Sequence, residues 1–171
     1  STRGLKNGDP VEFEGRMLEV TLGPGLLSSV YDGLQNNLTT MESVFLKRGE
    51  YTDPLDHKKL WDFTPIAKEG DKVTAADWLG EVKEGWLPHK IMVPFSFKGE
   101  YTVKKIAEAG KYNIDMVVAV LTGADGEETY VTMTQKWPVK VAVKAYQEKP
   151  RPQKIMETGV RCIDTFNPIA E

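Results

Sequence analysis

The chain has 171 residues, 40% of them apolar and 27% charged, enough for one domain with a small satellite. Its net charge of −3 excludes a global electrostatic attraction to nucleic acid or an anionic membrane surface. No apolar run approaches the roughly 20 residues needed to cross a bilayer, no signal-peptide pattern opens the chain, and the single cysteine, Cys162, excludes an internal disulfide.

Glycine and proline punctuate the first quarter at Gly8, Pro10, Gly15, Gly23-Pro24-Gly25 and Gly33. Between them the alternating run Met17–Leu22 predicts a strand. Gly23-Pro24-Gly25 lacks the Gly-Lys-Ser/Thr ending that sets a cation and a metal-binding hydroxyl on phosphates, and no Walker A sequence occurs anywhere. It is predicted to be a turn in a linker that packs closely against other backbone. Thr39-Thr40-Met41-Glu42 has the form of a capping box, predicting a short helix that stops at Gly49.

From about Trp61 the texture changes to closely spaced β segments. Lys68–Val73 followed by Trp78–Val82 reads as strand, turn, strand, and Ala107–Tyr112 followed by Met116–Val120 repeats that grammar. Gly70 and Gly110 take equivalent places in the two copies, each in a turn. Asp125-Gly126 joins Val117–Leu121 to Tyr130–Met133 in a tight hairpin, because glycine tolerates positive φ. Val139, Val141 and Val143 alternate with Lys140, Ala142 and Lys144 and predict a further strand with one apolar face. Lys149-Pro150-Arg151-Pro152 is a connector, and Thr158 is placed to cap a last short helix ending before Pro168.

Two such halves around a central hairpin resemble a barrel-sandwich hybrid, the architecture of biotinyl and lipoyl carrier domains. Carriers display a modified lysine at the tip of that hairpin, and Lys90 lies near the corresponding place. Its surroundings, Gly85-Trp86-Leu87-Pro88-His89-Lys90-Ile91-Met92, match neither carrier pattern. A carrier with Lys90 as its attachment site is therefore the alternative reading.

Other chemistry-bearing residues give blander readings. His57, in Asp56-His57-Lys58-Lys59, and His89, beside Pro88, lack a Cys or His at metal-ligand spacing and are predicted to be solvated. Asp53, Asp56, Asp62 and Glu69 show no spacing that singles out an acid–base pair. Cys162 is expected to be packed and inert. Lys140, Lys144, Lys149, Arg151 and Lys154, with Trp137 and Tyr146, read as a lysine-protected strand edge rather than a nucleic-acid face.

Two blocks carry a closer likeness. Leu22-Gly23-Pro24-Gly25-Leu26-Leu27-Ser28-Ser29-Val30-Tyr31-Asp32-Gly33-Leu34-Gln35-Asn36-Asn37-Leu38 and the stretch from Gln135-Lys136-Trp137-Pro138 to Pro168 resemble the catalytic subunit of V-type and archaeal-type rotary ATPases. The resemblance implies a mainly β fold: residues 1–52 would be linker strands and a short helix following an N-terminal barrel. Residues 53–134 would be the bulge, or non-homologous, domain of barrel-sandwich type. Residues 135–171 would be a strand, a Pro-rich connector and a short helix leading toward a phosphate-binding loop.

By the same resemblance the parent couples ATP hydrolysis or synthesis to H+ or Na+ transport and binds ATP and Mg2+. It pairs with B subunits in an A3B3 head, beside a central shaft and a peripheral stalk, on the cytoplasmic side of the membrane. The family's catalytic and nucleotide-contacting residues fall outside the matched blocks. No catalytic, cofactor-binding or metal residue is assigned here, and the segment itself is expected to scaffold contacts rather than do chemistry, with no nucleic acid bound and no insertion into the membrane.

Overall fold

A computed structural model describes residues 4–13, 15–41, 51–144 and 154–170. Two antiparallel four-stranded sheets form its centre. The first is built from β2 (Trp61–Pro65), β4 (Trp78–Glu84), β5 (Leu87–Met92) and β7 (Gly110–Tyr112), in the order β5-β4-β2-β7. The second is built from β3 (Lys72–Val73), β6 (Tyr101–Ile106), β8 (Ala119–Thr122) and β9 (Glu128–Val131), in the order β3-β6-β8-β9. Among the described residues the fold is mainly β, of the expected barrel-sandwich type, with two open sheets and no closed barrel.

The sequence duplication is a real two-fold pattern. Exchanging β2, β3, β4 and β5 for β6, β7, β8 and β9 turns one sheet order into the other. Residues at matching register positions follow the exchange: Phe63 pairs with Val82 as Val103 pairs with Leu121, and Gly80 with Ile91 as Ala119 with Val131. Each of the two cores draws on both halves. Phe63, Val82 and Ile91 pack with Leu55, Trp61, Ile114, Val118 and Met133, while Val103, Leu121 and Val131 pack with Val73, Leu79 and Val93. Ile106 touches both clusters. Alternation within the strands produces this sorting: β2 buries Trp61 and Phe63 and exposes Asp62 and Thr64.

The hairpins follow glycine. Gly126, at φ 78°, closes the β8–β9 turn, where its amide donates to Gly123 O and the Gly123 amide donates to Glu127 O. Gly85, at φ 60°, takes the first central position of the two-residue turn between β4 and β5. Gly70 also has positive φ, in the turn before β3, whereas Gly110 opens β7 opposite Phe63. The two glycines are thus not equivalent, and the symmetry rests on the strands instead. Pro88 lies in β5, which among the described residues is an edge strand beside β4, where a missing amide donor is tolerated.

Outside the sandwich, β1 (Glu19–Leu22) pairs antiparallel with β10 (Gln135–Pro138), and β11 (Ile155–Met156) with β12 (Ile169–Ala170). The strand expected over Val139–Val143 does not form. Pro138 ends β10, the Val139 amide reaches back to Leu18 O, and the Val141 amide donates to Pro138 O in a turn. Val139 and Val141 are exposed, so their alternation faces no core.

The last helix is α1 (Arg161–Phe166), which stops before Pro168 as expected. Its cap differs: Val160 is the N-cap residue and supplies no side-chain hydrogen bond. Thr158 and Gly159 instead bond back to Asp164, whose carboxylate accepts the Thr158 hydroxyl at 2.6 Å and both amides. The helix predicted from Thr39 to Gly49 lies mostly outside the described residues. The described part, Thr39–Met41, is not helical.

Candidate functional site

The Gly-Pro-Gly loop is clamped onto the sandwich by a buried carboxylate. Glu84 sits at the end of β4, held at the mouth of the hairpin by the Gly85 turn, and is only 6% exposed. Its Oε1 accepts the amides of Gly25 at 2.6 Å and Leu27 at 3.0 Å, and its Oε2 lies 2.7 Å from His89 Nδ1. Three donors converge on one buried carboxylate, the arrangement that offsets the cost of taking such a group out of water.

The glycines answer to space as well as conformation. A Cβ at Gly23 would stand 2.8 Å from Thr134 Cγ2 and 3.3 Å from Met133 O. Gly25 has φ +110° and lies against Leu55 and Trp61. Pro24 between them is fully buried. The loop packs closely onto the sandwich as expected, but mainly against the side chains of Leu55, Trp61 and Thr134, with Met133 O the backbone atom among these contacts.

A cleft of about 250 Å³ runs beside the clamp, lined by Leu26, Leu27, Glu84, His89, Met92 and Gln135 among others. Around it the flanking segment is tied down by side-chain amides. Gln35 donates to Thr21 O at 2.6 Å and accepts the Thr21 amide at 2.7 Å, acting as a ladder partner for β1. Asn36, 5% exposed, accepts the Thr52 amide and donates to Asp32, whose other oxygen accepts the amides of Leu34 and Asn36. The Asn36 side chain, with these backbone bonds, holds the Asp32 carboxyl below its ordinary value.

The residues singled out from sequence fall as follows. Lys90 is not at a hairpin tip: the tip is Gly85-Trp86, and Lys90 lies within β5 opposite Glu81. Its ammonium is paired with Glu81 and stands 4.8 Å over the Trp78 ring. A swinging arm needs a free, protruding amine, so the carrier reading of Lys90 is corrected. His89 is not solvated but is the clamp's third donor, 26% exposed. His57 is half exposed, with its two ring nitrogens against Asp53 and Asp115.

Asp56, Asp62 and Glu69 are exposed, and among the described residues no group of three or more His, Cys, Asp or Glu is placed to hold a metal ion. Cys162 is exposed rather than packed, because α1 buries no residue. Trp137 stacks edge-on against Phe95 at 5.7 Å and donates its indole N–H to Val141 O. Lys140 and Lys144 are exposed, while Tyr146, Lys149 and Arg151 lie outside the described residues.

Glu84 and Asp115 escaped the sequence reading. The signal available for Glu84 was its place directly before a turn glycine, where an acidic residue is ordinarily solvated. Its two backbone partners are 57 and 59 residues away and invisible to local pattern.

Residues 52–140, just over half of the chain, match the family described as the ATP synthase alpha/beta subunit barrel-sandwich domain. Almost the entire sequence is similar to proteins named V-type ATP synthase alpha chain. That of Treponema denticola is 46% identical over 173 aligned positions, covering 99% of this chain and 29% of the relative. The Borrelia recurrentis protein is 47% identical, with 99% and 30% covered, and the Chlamydia abortus protein 46% identical, with 98% and 29% covered. The chain thus spans about 30% of the length of the curated relatives it matches. Among the described residues no helix is long and apolar enough to cross a membrane.

Proposed function

Because the chain belongs to the barrel-sandwich family of ATP synthase alpha/beta subunits, we propose that it is the non-catalytic outrigger of the catalytic polypeptide of a rotary V/A-type ATPase. In this reading residues 53–134 are the bulge domain, residues 1–52 lead into it, and residues 135–171 lead out toward a nucleotide-binding domain. The parent hydrolyses or makes ATP with Mg2+ and couples this to H+ or Na+ transport. The outrigger adds contact surface at the outside of a cytoplasmic A3B3 head, where it meets the peripheral stalk.

The supporting observation is the Glu84 clamp. A module joined to its parent through two chain crossings would swing unless its base were fixed. Here a buried carboxylate fixes the lead-in loop, and the β1–β10 pairing ties the two crossings together. A rigid base lets contacts at the far end of the module transmit force, which is what a scaffold needs.

Two measurements test the reading. The purified chain is expected to show no ATP turnover, and an assembled head whose catalytic polypeptide lacks residues 53–134 is expected to bind nucleotide but retain less peripheral stalk in pull-down. Turnover by the chain itself, or full stalk retention by the shortened head, refutes it.

A further inference from the structure

His57 lies between two carboxylates contributed by distant parts of the chain. Its Nδ1 is 2.7 Å from Asp115 Oδ2 and its Nε2 is 2.8 Å from Asp53 Oδ2. A neutral imidazole has one N–H and one lone pair, and ionised carboxylates only accept. Both contacts are hydrogen bonds only when the ring carries two protons. The arrangement therefore counts protons by geometry.

We propose that Asp53, His57 and Asp115 form a proton-dependent clasp that pins the lead-in segment 52–57 to the loop between β7 and β8. Asp53 links the clasp to the core: its Oδ1 accepts the Leu55 amide at 3.2 Å, and Leu55 packs under Gly23 and Gly25 in the cluster with Trp61 and Ile114. On the opposite side, Asn113 Oδ1 holds the amides of Asp115 and Met116, so the Asp115 carboxylate is presented from a structured turn. The clasp is thus placed to set how firmly the Gly-Pro-Gly loop is seated.

The charged groups around the ring favour this proton. Asp115 and Asp53 face it directly. On the ring's own segment, Asp56 accepts the Lys58 amide and Lys59 is drawn over the Trp61 ring at 4.0 Å. The hydrogen bond to Asp115, then that to Asp53, raises the His57 pKa above its ordinary value. The side chain is 47% exposed, so solvent protons reach it. A raised value means that the clasp's stabilisation is complete below the unfolded-state pKa and is lost as pH rises through the folded-state one.

The 171-residue chain contains only two histidines, so ring-proton NMR follows each one separately, with His57→Gln identifying the signal. The His57 midpoint is expected above about 6.5, and Asp115→Asn and Asp53→Asn each shift it down. In parallel, His57→Gln lowers Tm at mildly acidic pH, and this loss shrinks toward zero as pH rises past the wild-type midpoint. A midpoint at or below the ordinary value, midpoints unmoved by both Asn variants, or a Tm loss that is the same at acidic and alkaline pH overturns the clasp.

Discussion

The Phe63 ring fills the space that a side chain on Gly80 would need. A Cβ on Gly80 would fall well inside contact distance of the Cε2 and Cζ atoms of Phe63 and 2.9 Å from Thr64 O. In the symmetry-related half, Val103 replaces Phe63 and Ala119 replaces Gly80. The two halves thus fill corresponding places with a large–small and a medium–medium pair.

This exchange predicts a coupling. Gly80→Ala should destabilise the chain by about 1–3 kcal/mol through overpacking, and Phe63→Val by about 2–4 kcal/mol through a cavity. The double variant reproduces the Val103 and Ala119 pair and should lose clearly less than the sum. Chemical denaturation of the four proteins measures it, and strict additivity would show that the ring and the glycine do not share that space.

Glu84 gives a graded prediction. Its Oε1 alone accepts both amides, so Glu84→Gln keeps that acceptor, loses only the contact from His89 and should cost less than Glu84→Ala. Glu84→Ala leaves the Gly25 and Leu27 amides without their acceptor and should cost on the order of 2–4 kcal/mol. Faster amide exchange at Gly25 and Leu27, but not within β8, would localise the damage. Equal loss in the two variants would point to packing rather than hydrogen bonding.

Lys90 should stay unmodified. Co-expression with biotin or lipoyl ligases is expected to leave the chain's mass unchanged, because the amine is paired with Glu81 inside a strand. Lys90→Ala should cost no more than about 1 kcal/mol, as partly exposed ion pairs and cation–π contacts are individually weak. A mass increase that this substitution abolishes would restore the carrier reading.

The Asp32–Asn36 loop carries an acid-sensitive element. The Asp32 pKa is lowered, so its contribution is present above the unfolded carboxyl value and lost as pH falls through the folded one. The Asn36 side-chain amide signals should shift with that lower midpoint, and Asp32→Asn should remove the transition. An Asn36 titration centred on the ordinary carboxyl value would contradict the assignment.

The sandwich was legible in sequence because its determinants are local. Alternation in Trp61-Asp62-Phe63 and a glycine at Asp125-Gly126 act within a few residues, and the duplicated strand grammar follows from them. Lys90 was misplaced for a related reason: its distance from Gly85, not the length of the whole segment, decides whether it sits at a tip or in a ladder. The valines after Pro138 had the right period but no sheet to join, which a pattern cannot reveal. The clamp and the His57 contacts were hidden because Glu84 and Asp115 meet partners 57–59 residues away.

Each four-stranded sheet takes its last strand from the other half: β7 completes the first, β3 the second. A ribosome that has delivered only β2 to β5 has therefore made neither sheet whole, and Leu79 and Val93 still await the cover supplied by Val103 and Leu121. β1, which precedes β2 to β9 in the chain, gains its strand partner only when β10 is synthesised. The growing polypeptide must therefore carry exposed strand edges while the residues between β1 and β10 are made, a period in which chaperone capture and mispairing compete with completion.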